Sequence, residues 1–255
     1  MCPACLVSAR FAYHPLRVSS FRALLSVHLA CALGATAAFW VAGFSFKGGP
    51  RHRSAGEWFR RLIYAAAFTG GGLAVAGIAL PAWGHPMQPG QTADAWTDML
   101  QTHRQTMWVV LYVLLIIVAP AQHGIAVVAA GPSPARVRSR LHATLNLSCL
   151  AGTVLLLAAS VSWQRWTVLT LAPIGFTIGL RNLSYASRRS ATSSAWEREH
   201  LTSLVTAGVT MHTALLVFGA SRTLGLVLSG PAEVLLWVLP ALIGMPVILW
   251  LRARR

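Results

Sequence analysis

Charged side chains are scarce in this sequence. They make up 11% of its 255 residues, whereas about a quarter of the residues of a soluble globular domain are charged. Hydrophobic residues account for 55% of the chain, and its mean hydropathy is +0.59. This composition excludes an ordinary soluble domain and predicts an integral membrane protein.

The shortage of lysine and cysteine removes several kinds of site. The only lysine, Lys47, lies in a polar loop, so a retinal Schiff base on a helical lysine is excluded. Cys2 and Cys5 supply at most half of a tetrahedral zinc site, because no second Cys pair follows. The pair is interpreted as a terminus without chemistry, or as a disulfide if it lies outside the cell. HExxH and GxSxG motifs are also missing, and the sequence identifies no catalytic residue.

Carboxylates are equally few, with six Asp and Glu residues in the whole chain. Almost none falls within an apolar run. Proton- and cation-coupled transporters usually hold an intramembrane carboxylate. The sequence therefore gives no positive indication of such coupling.

Seven apolar runs are long enough to cross a bilayer, whose core of about 30 Å needs about 20 helical residues. The sequence thus predicts an all-α, polytopic transmembrane bundle of about seven spans. Residues 1–22 are predicted to form an N-terminal tail and residues 23–255 a single transmembrane domain. The predicted spans are 23–45, 62–82, 106–130, 141–162, 166–185, 201–220 and 232–251.

Basic residues are distributed unevenly between the two sides of this bundle. Fifteen of the 21 Lys and Arg residues lie in segments that share one face, namely 46–61, 132–140, 181–200 and 252–255. The positive-inside rule makes that face cytoplasmic, with the N-terminus outside and the C-terminus inside. Arg10, Arg17 and Arg22 would then lie outside, a conflict that an even number of helices would remove. Because the charge sits in short loops beside spans, we expect anionic lipid headgroups as partners, and no nucleic acid.

Histidines are the remaining candidates for chemistry within the spans. His28 and His212 are predicted to lie about five and eight residues inside the outer ends of their helices, so their depths differ by only about 5 Å. Two facing imidazoles at one depth can hold a haem b. The alternative is that each histidine makes an interhelical hydrogen bond, which membrane helices use to hold one another together.

A second candidate site lies at the cytoplasmic face. Arg53 and Arg181 adjoin the spans rather than the loop tips, and an arginine at that depth tends to pair with a carboxylate or a phosphate. We expect His52, Arg53, Arg181 and His200 to converge on one pocket for an anion or a lipid headgroup.

Two stretches resemble an uncharacterised family of bacterial polytopic inner-membrane proteins. The first is FKGGPRHRSAG, preceded by a histidine in the first helix, and the second is WEREHLTSLVTAGVTMHTALLVFG. The shared positions are His28, Lys47, Gly48, His52, Arg53 and Gly56, then Trp196, His200, Thr213 and Ala214. Leu204 departs from the family, which has methionine there. The resemblance implies a multi-pass protein of the bacterial inner membrane and assigns no activity.

Three functions of different classes fit these observations. The first is a b-type haem-binding subunit that transfers electrons, with His28 and His212 as axial ligands. The second is a transporter or binding module for a neutral or anionic small molecule, with a cavity lined where a proline interrupts a helix, at Pro120, Pro173, Pro240 or Pro246. The third is a structural subunit that needs a membrane protein partner.

Overall fold

The computed structural model describes residues 15–220, 225 and 231–253. This part of the chain is helical and contains no β-strand. Its α-helices are α1 (Pro15–Phe44), α2 (Pro50–Ala79), α3 (Ala93–Ala130), α4 (Arg140–Ser162), α5 (Ala172–Ala186), α6 (Ser193–Ala214) and α7 (Pro231–Ala253). Short 3-10 turns occupy Pro81–Trp83, Pro134–Val137 and Trp166–Leu171, and a π-helical turn extends α6 over Leu215–Ala220. Cys2 and Cys5 lie outside the described residues.

Each predicted apolar run corresponds to one of these helices, but not every helix has the length of a span. Within the described part of the chain, five helical segments are long and apolar enough to cross a membrane: Ser19–Phe44, Pro50–Ala79, Ala93–Ala130, Arg140–Ser162 and Ser194–Gly219. The last helix contributes a shorter apolar stretch, Val234–Val247. The protein is therefore an all-helical chain that fits a multi-pass membrane protein.

The region predicted as the span 166–185 is divided in the structure. Residues Trp166–Leu171 form a 3-10 turn, and α5 begins only at Ala172, with Pro173 in its first turn. Proline is favoured at a helix start because its missing N–H would have no intrahelical acceptor there. At 15 residues, α5 is about 22 Å long, shorter than a bilayer core. Pro173 therefore begins a helix instead of interrupting one.

The chain separates into two compact units, residues 1–111 and 112–255, and α3 runs from the first into the second. In the first unit α1 packs along α2. A short loop joins them, and α2 begins where the extended Gly49 is followed by Pro50. In the second unit α4 packs along α5, and α6 packs along α7.

The second unit buries several polar side chains and exposes large apolar ones. His123, Asn146, Asn182 and Ser203 have no exposed surface at all. Large apolar side chains instead cover the outside, as in Leu155, which is 70% exposed. A soluble protein rarely exposes a continuous apolar surface of this kind, whereas a lipid-facing helix requires one.

His28 makes a hydrogen bond across the contact between α1 and α2. Its Nδ1–H donates to the carbonyl of Ala66 on α2 at 2.9 Å. The imidazole lies directly against Gly70, where an added Cβ would come within 2.6 Å of the ring carbon Cε1. The glycine therefore provides the space that the histidine ring occupies.

This geometry predicts different effects for two neighbouring glycines. Gly70→Ala forces the His28 ring away from Ala66, and we expect it to destabilise the folded protein by about 1 to 3 kcal/mol. Gly71→Ala is the matched control, because an added Cβ there meets nothing within 4 Å. Thermal unfolding of the detergent-purified variants measures both effects, and equal melting temperatures would contradict the proposed role of Gly70.

Candidate functional site

A chain of three titratable side chains lies buried in the second unit. His123 on α3 is at its centre: its Nδ1 is 3.0 Å from Nε2 of His142 on α4, and its Nε2 is 3.2 Å from Oε1 of Glu199 on α6. His123 is fully buried, His142 is 2% exposed and Glu199 is 8% exposed.

A carboxylate therefore does lie within a candidate span, contrary to what the sequence indicated. The prediction failed because the sequence placed the start of this span at residue 201, whereas α6 begins at Ser193.

Glu199 has a cationic partner on a fourth helix. Arg181 of α5 places its Nε 3.4 Å from Oε1 of Glu199. Its Nη2 donates to the Ser203 hydroxyl at 3.0 Å and to Oδ1 of Asn182 at 3.3 Å. The Ser203 hydroxyl in turn donates to Oε1 of Glu199 at 3.4 Å. One carboxylate oxygen thus lies within reach of an imidazole, a hydroxyl and a guanidinium.

Two asparagines complete a closed ring of hydrogen bonds that includes the ion pair between Arg181 and Glu199. Asn182 Nδ2 donates to Oδ1 of Asn146 at 2.8 Å, and Asn146 Nδ2 donates to the backbone carbonyl of His142 at 2.7 Å. We call this set the polar ring; its members are His123, His142, Asn146, Arg181, Asn182 and Glu199. It joins α3, α4, α5 and α6. Polar groups buried among apolar helices need partners within the protein, and the ring supplies them.

The link between α3 and α4 explains how the two histidines meet. Gly131 adopts a positive φ of 57° just after α3, a conformation that favours glycine. The chain then makes the Pro134–Val137 turn, and Ser139 caps α4 by accepting the N–H of His142 at 3.1 Å. Arg138 fixes the same link by donating its Nε–H to the carbonyl of Ala186. His142 is therefore held in the first turn of α4, facing α3.

A close approach of α3 and α6 brings Glu199 to His123. A Cβ added to Gly124 would lie only 3.2 Å from the Ser203 Cβ, so a larger residue at that crossing would push the two helices slightly apart. His200 strengthens it, because its Nδ1–H donates to the carbonyl of Gly124 at 2.9 Å. Adjacent residues of α6 therefore serve different purposes: His200 holds the helices together and Glu199 enters the ring.

Glu199 also borders a cleft that opens at the surface of the second unit. The other lining residues are Arg188, Ala195 and Arg198. The guanidinium of Arg188 lies 5.5 Å from the ring centroid of Tyr185, which packs edge-on against His123. The cleft therefore gives one end of the polar ring access to solvent between two arginines.

The four residues expected to share an anion pocket lie in different units. Arg181 and His200 belong to the second unit. There Arg181 lies beside the Glu199 carboxylate, one of the two kinds of partner expected for an arginine at that depth. In the first unit His52 donates its Nδ1–H to the carbonyl of Ala42 at 2.9 Å, and Arg53 is exposed. A single pocket for all four stays a prediction.

The two predicted haem ligands are also divided between the units. His28 makes the interhelical hydrogen bond to Ala66 described above. His212 donates its Nδ1–H to the carbonyl of Gly208, one turn earlier on its own helix, at 2.7 Å. Among the described residues no group of three or more His, Cys, Asp and Glu side chains could hold a metal ion.

Sequence reasoning missed the polar ring as a unit. His123 lies well inside α3, whereas His142 lies at the start of α4, so their positions along the sequence did not suggest that they meet. The signal that could have joined them is the short Gly- and Pro-containing link between these helices. Asn146 and Asn182 were a second signal, because an amide inside an apolar run needs a partner on another helix.

Comparison with known proteins adds no relative from which a role could be transferred. No protein-family model matches the chain, and no curated protein or solved structure is significantly similar to it. The geometry of the polar ring and its cleft is therefore the basis for inferring a function.

Proposed function

We propose that this protein is a proton-coupled membrane protein that binds a small anion at the cleft beside Glu199. The observation that carries the proposal is the buried chain from His142 through His123 to Glu199, with Arg181 against the same carboxylate oxygen. Ionisable groups are costly inside a membrane protein, and chains of His and Glu commonly act there as proton relays.

The hydrogen bonds define a direction for the proton. With Glu199 ionised beside Arg181, His123 donates its Nε2–H to the carboxylate, so its Nδ1 accepts the Nε2–H of His142. A proton arriving at Nδ1 of His142 lets the Nε2–H pass to His123, and lets the Nε2–H of His123 pass to Glu199. Both imidazoles end neutral with their tautomers exchanged, and Glu199 ends as a neutral acid.

Protonation of Glu199 changes the charge that faces the cleft. While Glu199 is ionised, it offsets Arg181 and repels an incoming anion. Once it is neutral, Arg181 loses its counter-charge, and the nearby Arg188 and Arg198 already carry positive charge at the opening. An anion that enters the cleft then restores the balance. Proton uptake and anion binding are thereby coupled, and each favours the other.

Glu199 is the titrating group in this scheme, and charged or titratable groups from α3, α4 and α5 lie around it. The charged and titratable groups around it are His123 on α3, His142 on α4, Arg181, Tyr185 and Arg188 on and just after α5, and Arg198 on α6. None of these neighbouring groups carries a negative charge at neutral pH. Neutralising this one carboxylate therefore removes the only negative charge in the set.

Sulfate is a suitable probe, because its charge does not change between about pH 5 and pH 8, the range in which histidine titrates. We expect sulfate to raise the melting temperature of the purified protein more strongly at the lower pH. Glu199→Gln imitates the protonated acid, so it should bind sulfate equally well at both pH values. Arg198→Gln should weaken sulfate binding by about tenfold at low pH, the effect of losing about 1.4 kcal/mol.

Glu57→Gln is the control for the loss of a carboxylate. Glu57 pairs with Arg60 and Arg61 on the exposed surface of α2, where such pairs contribute little. This variant should retain the pH dependence of the unchanged protein. Sulfate binding that is independent of pH in the unchanged protein, or still dependent on pH in Glu199→Gln, would refute the coupling.

A second candidate function is the b-type haem subunit. It is favoured by one observation: Nδ1 of both His28 and His212 donates to a backbone carbonyl, which places the lone pair on Nε2, the usual tautomer of a coordinating histidine. Haem bound there would supply one-electron chemistry. We expect a reduced-minus-oxidised haem spectrum that His28→Ala and His212→Ala each abolish, whereas a missing band, or one that survives both variants, excludes this function.

We propose further that the protein lies in a bacterial inner membrane with residues 47–61 and the C-terminus in the cytoplasm. The distribution of basic residues supports this orientation, and it leaves the cleft facing anionic headgroups and cytoplasmic solutes. Cysteine labelling of intact cells should leave positions 47–61 and 252–255 unlabelled by an impermeant reagent. Labelling of either segment from outside would reverse the orientation, whereas protection of the N-terminal tail would change only the number of spans.

A further inference from the structure

Three side chains with metal-binding atoms meet in the first unit, at the end of α2 farthest from its basic N-terminal loop. A Cβ added to Gly77 would lie 2.9 Å from Nε2 of His103 and 3.1 Å from Sδ of Met107. These two atoms are therefore no more than about 6 Å apart. The ring of His85 lies edge-on to that of His103, with 4.3 Å between the ring centroids. We call these three residues the His–Met cluster.

The three members of the cluster meet on one face of α3. His103 and Met107 are four residues apart on α3, so they lie one above the other on one side of the helix. Trp96, seven residues before His103, also lies on this side and donates its Nε1–H to the carbonyl of His85 at 3.1 Å. That bond ties the linker after α2 to α3 and brings the His85 ring to His103. Gly77 then leaves the room beside α2 that the cluster fills.

The donor atoms define the kind of ion that would fit. Among the described residues no Asp, Glu, Cys or further His completes a group of three with His85 and His103, so the third donor is the thioether of Met107. Magnesium and calcium require oxygen ligands, which the cluster does not offer. Thioether sulfur together with imidazole nitrogen is a donor set that selects Cu(I).

We propose that His85, His103 and Met107 form a binding site for Cu(I). The three donors carry no negative charge, so the bound site has a single positive charge, which a half-buried position tolerates better than a divalent one. The site lies at the opposite end of α2 from the loop 46–61, which is the outer face under the proposed orientation. It is independent of the polar ring, which belongs to the second unit.

The experiment uses the full-length, detergent-purified protein with Cys2→Ser and Cys5→Ser, because a free Cys-x-x-Cys pair would itself bind Cu(I). Cu(I), kept reduced by ascorbate, is titrated in competition with a chromogenic Cu(I) chelator. We expect about one tightly bound ion per chain, and an X-ray absorption spectrum that contains both nitrogen and sulfur scatterers. Met107→Leu should remove the sulfur contribution and weaken binding by at least about tenfold.

Met107→Leu is nearly conservative in volume, so it tests the sulfur atom without disturbing the fold. Met245→Leu is the matched control, because Met245 is an exposed methionine of α7; it should bind Cu(I) as the starting protein does. His103→Gln should also lose binding while keeping a polar side chain. Cu(I) binding that is absent, that lacks a sulfur scatterer, or that Met107→Leu leaves unchanged would overturn the proposal.

Discussion

The arrangement of the second unit depends on one constraint, the presence of the Glu199 carboxylate among apolar helices. A buried carboxylate is stable only with a counter-charge and hydrogen bonds to its oxygens. Arg181, His123 and Ser203 meet this requirement from three helices. Arg181 and His123 have further polar atoms of their own, which Asn182 and His142 satisfy. The closed ring is the consequence of satisfying each of these groups in turn.

Such a ring favours one arrangement of the helices over others, but it contributes less to the overall free energy of folding. Replacing a buried ionic network by apolar side chains can be neutral or even favourable for stability. A pair such as Glu199 and Arg181 is therefore better explained by a use for the charge than by packing. The chain carries only six acidic residues, and one of them is buried beside two histidines and next to a cleft that opens between arginines. This combination is the basis of the proposed proton and anion chemistry.

Small residues make the polar contacts geometrically feasible. Gly124 lets α6 approach α3 in the second unit, and Gly70 and Gly77 leave room on α2 for a histidine ring and for the His–Met cluster in the first. In a membrane protein the hydrophobic effect does not drive helices together, so close packing over small residues and interhelical hydrogen bonds have to do so. At all three positions the glycine is paired with a polar or sulfur-containing side chain from the neighbouring helix. Packing and chemistry are thus encoded at the same sites.

The sequence by itself determined the class of protein, because hydropathy and charge act locally: a run of about 20 apolar residues is helical and membrane-compatible whatever surrounds it. It also predicted helices at the seven apolar runs, and it predicted that Arg181 pairs with a carboxylate or a phosphate. It did not determine that α6 begins early enough to include Glu199, that α5 is short, or that His123 meets His142. The contacts of His123 with His142 and Glu199 depend on the angle of the link after Gly131 and on the crossing of α3 and α6 at Gly124. They are contacts between residues up to 76 positions apart, which helical periodicity cannot predict and only the tertiary structure decides.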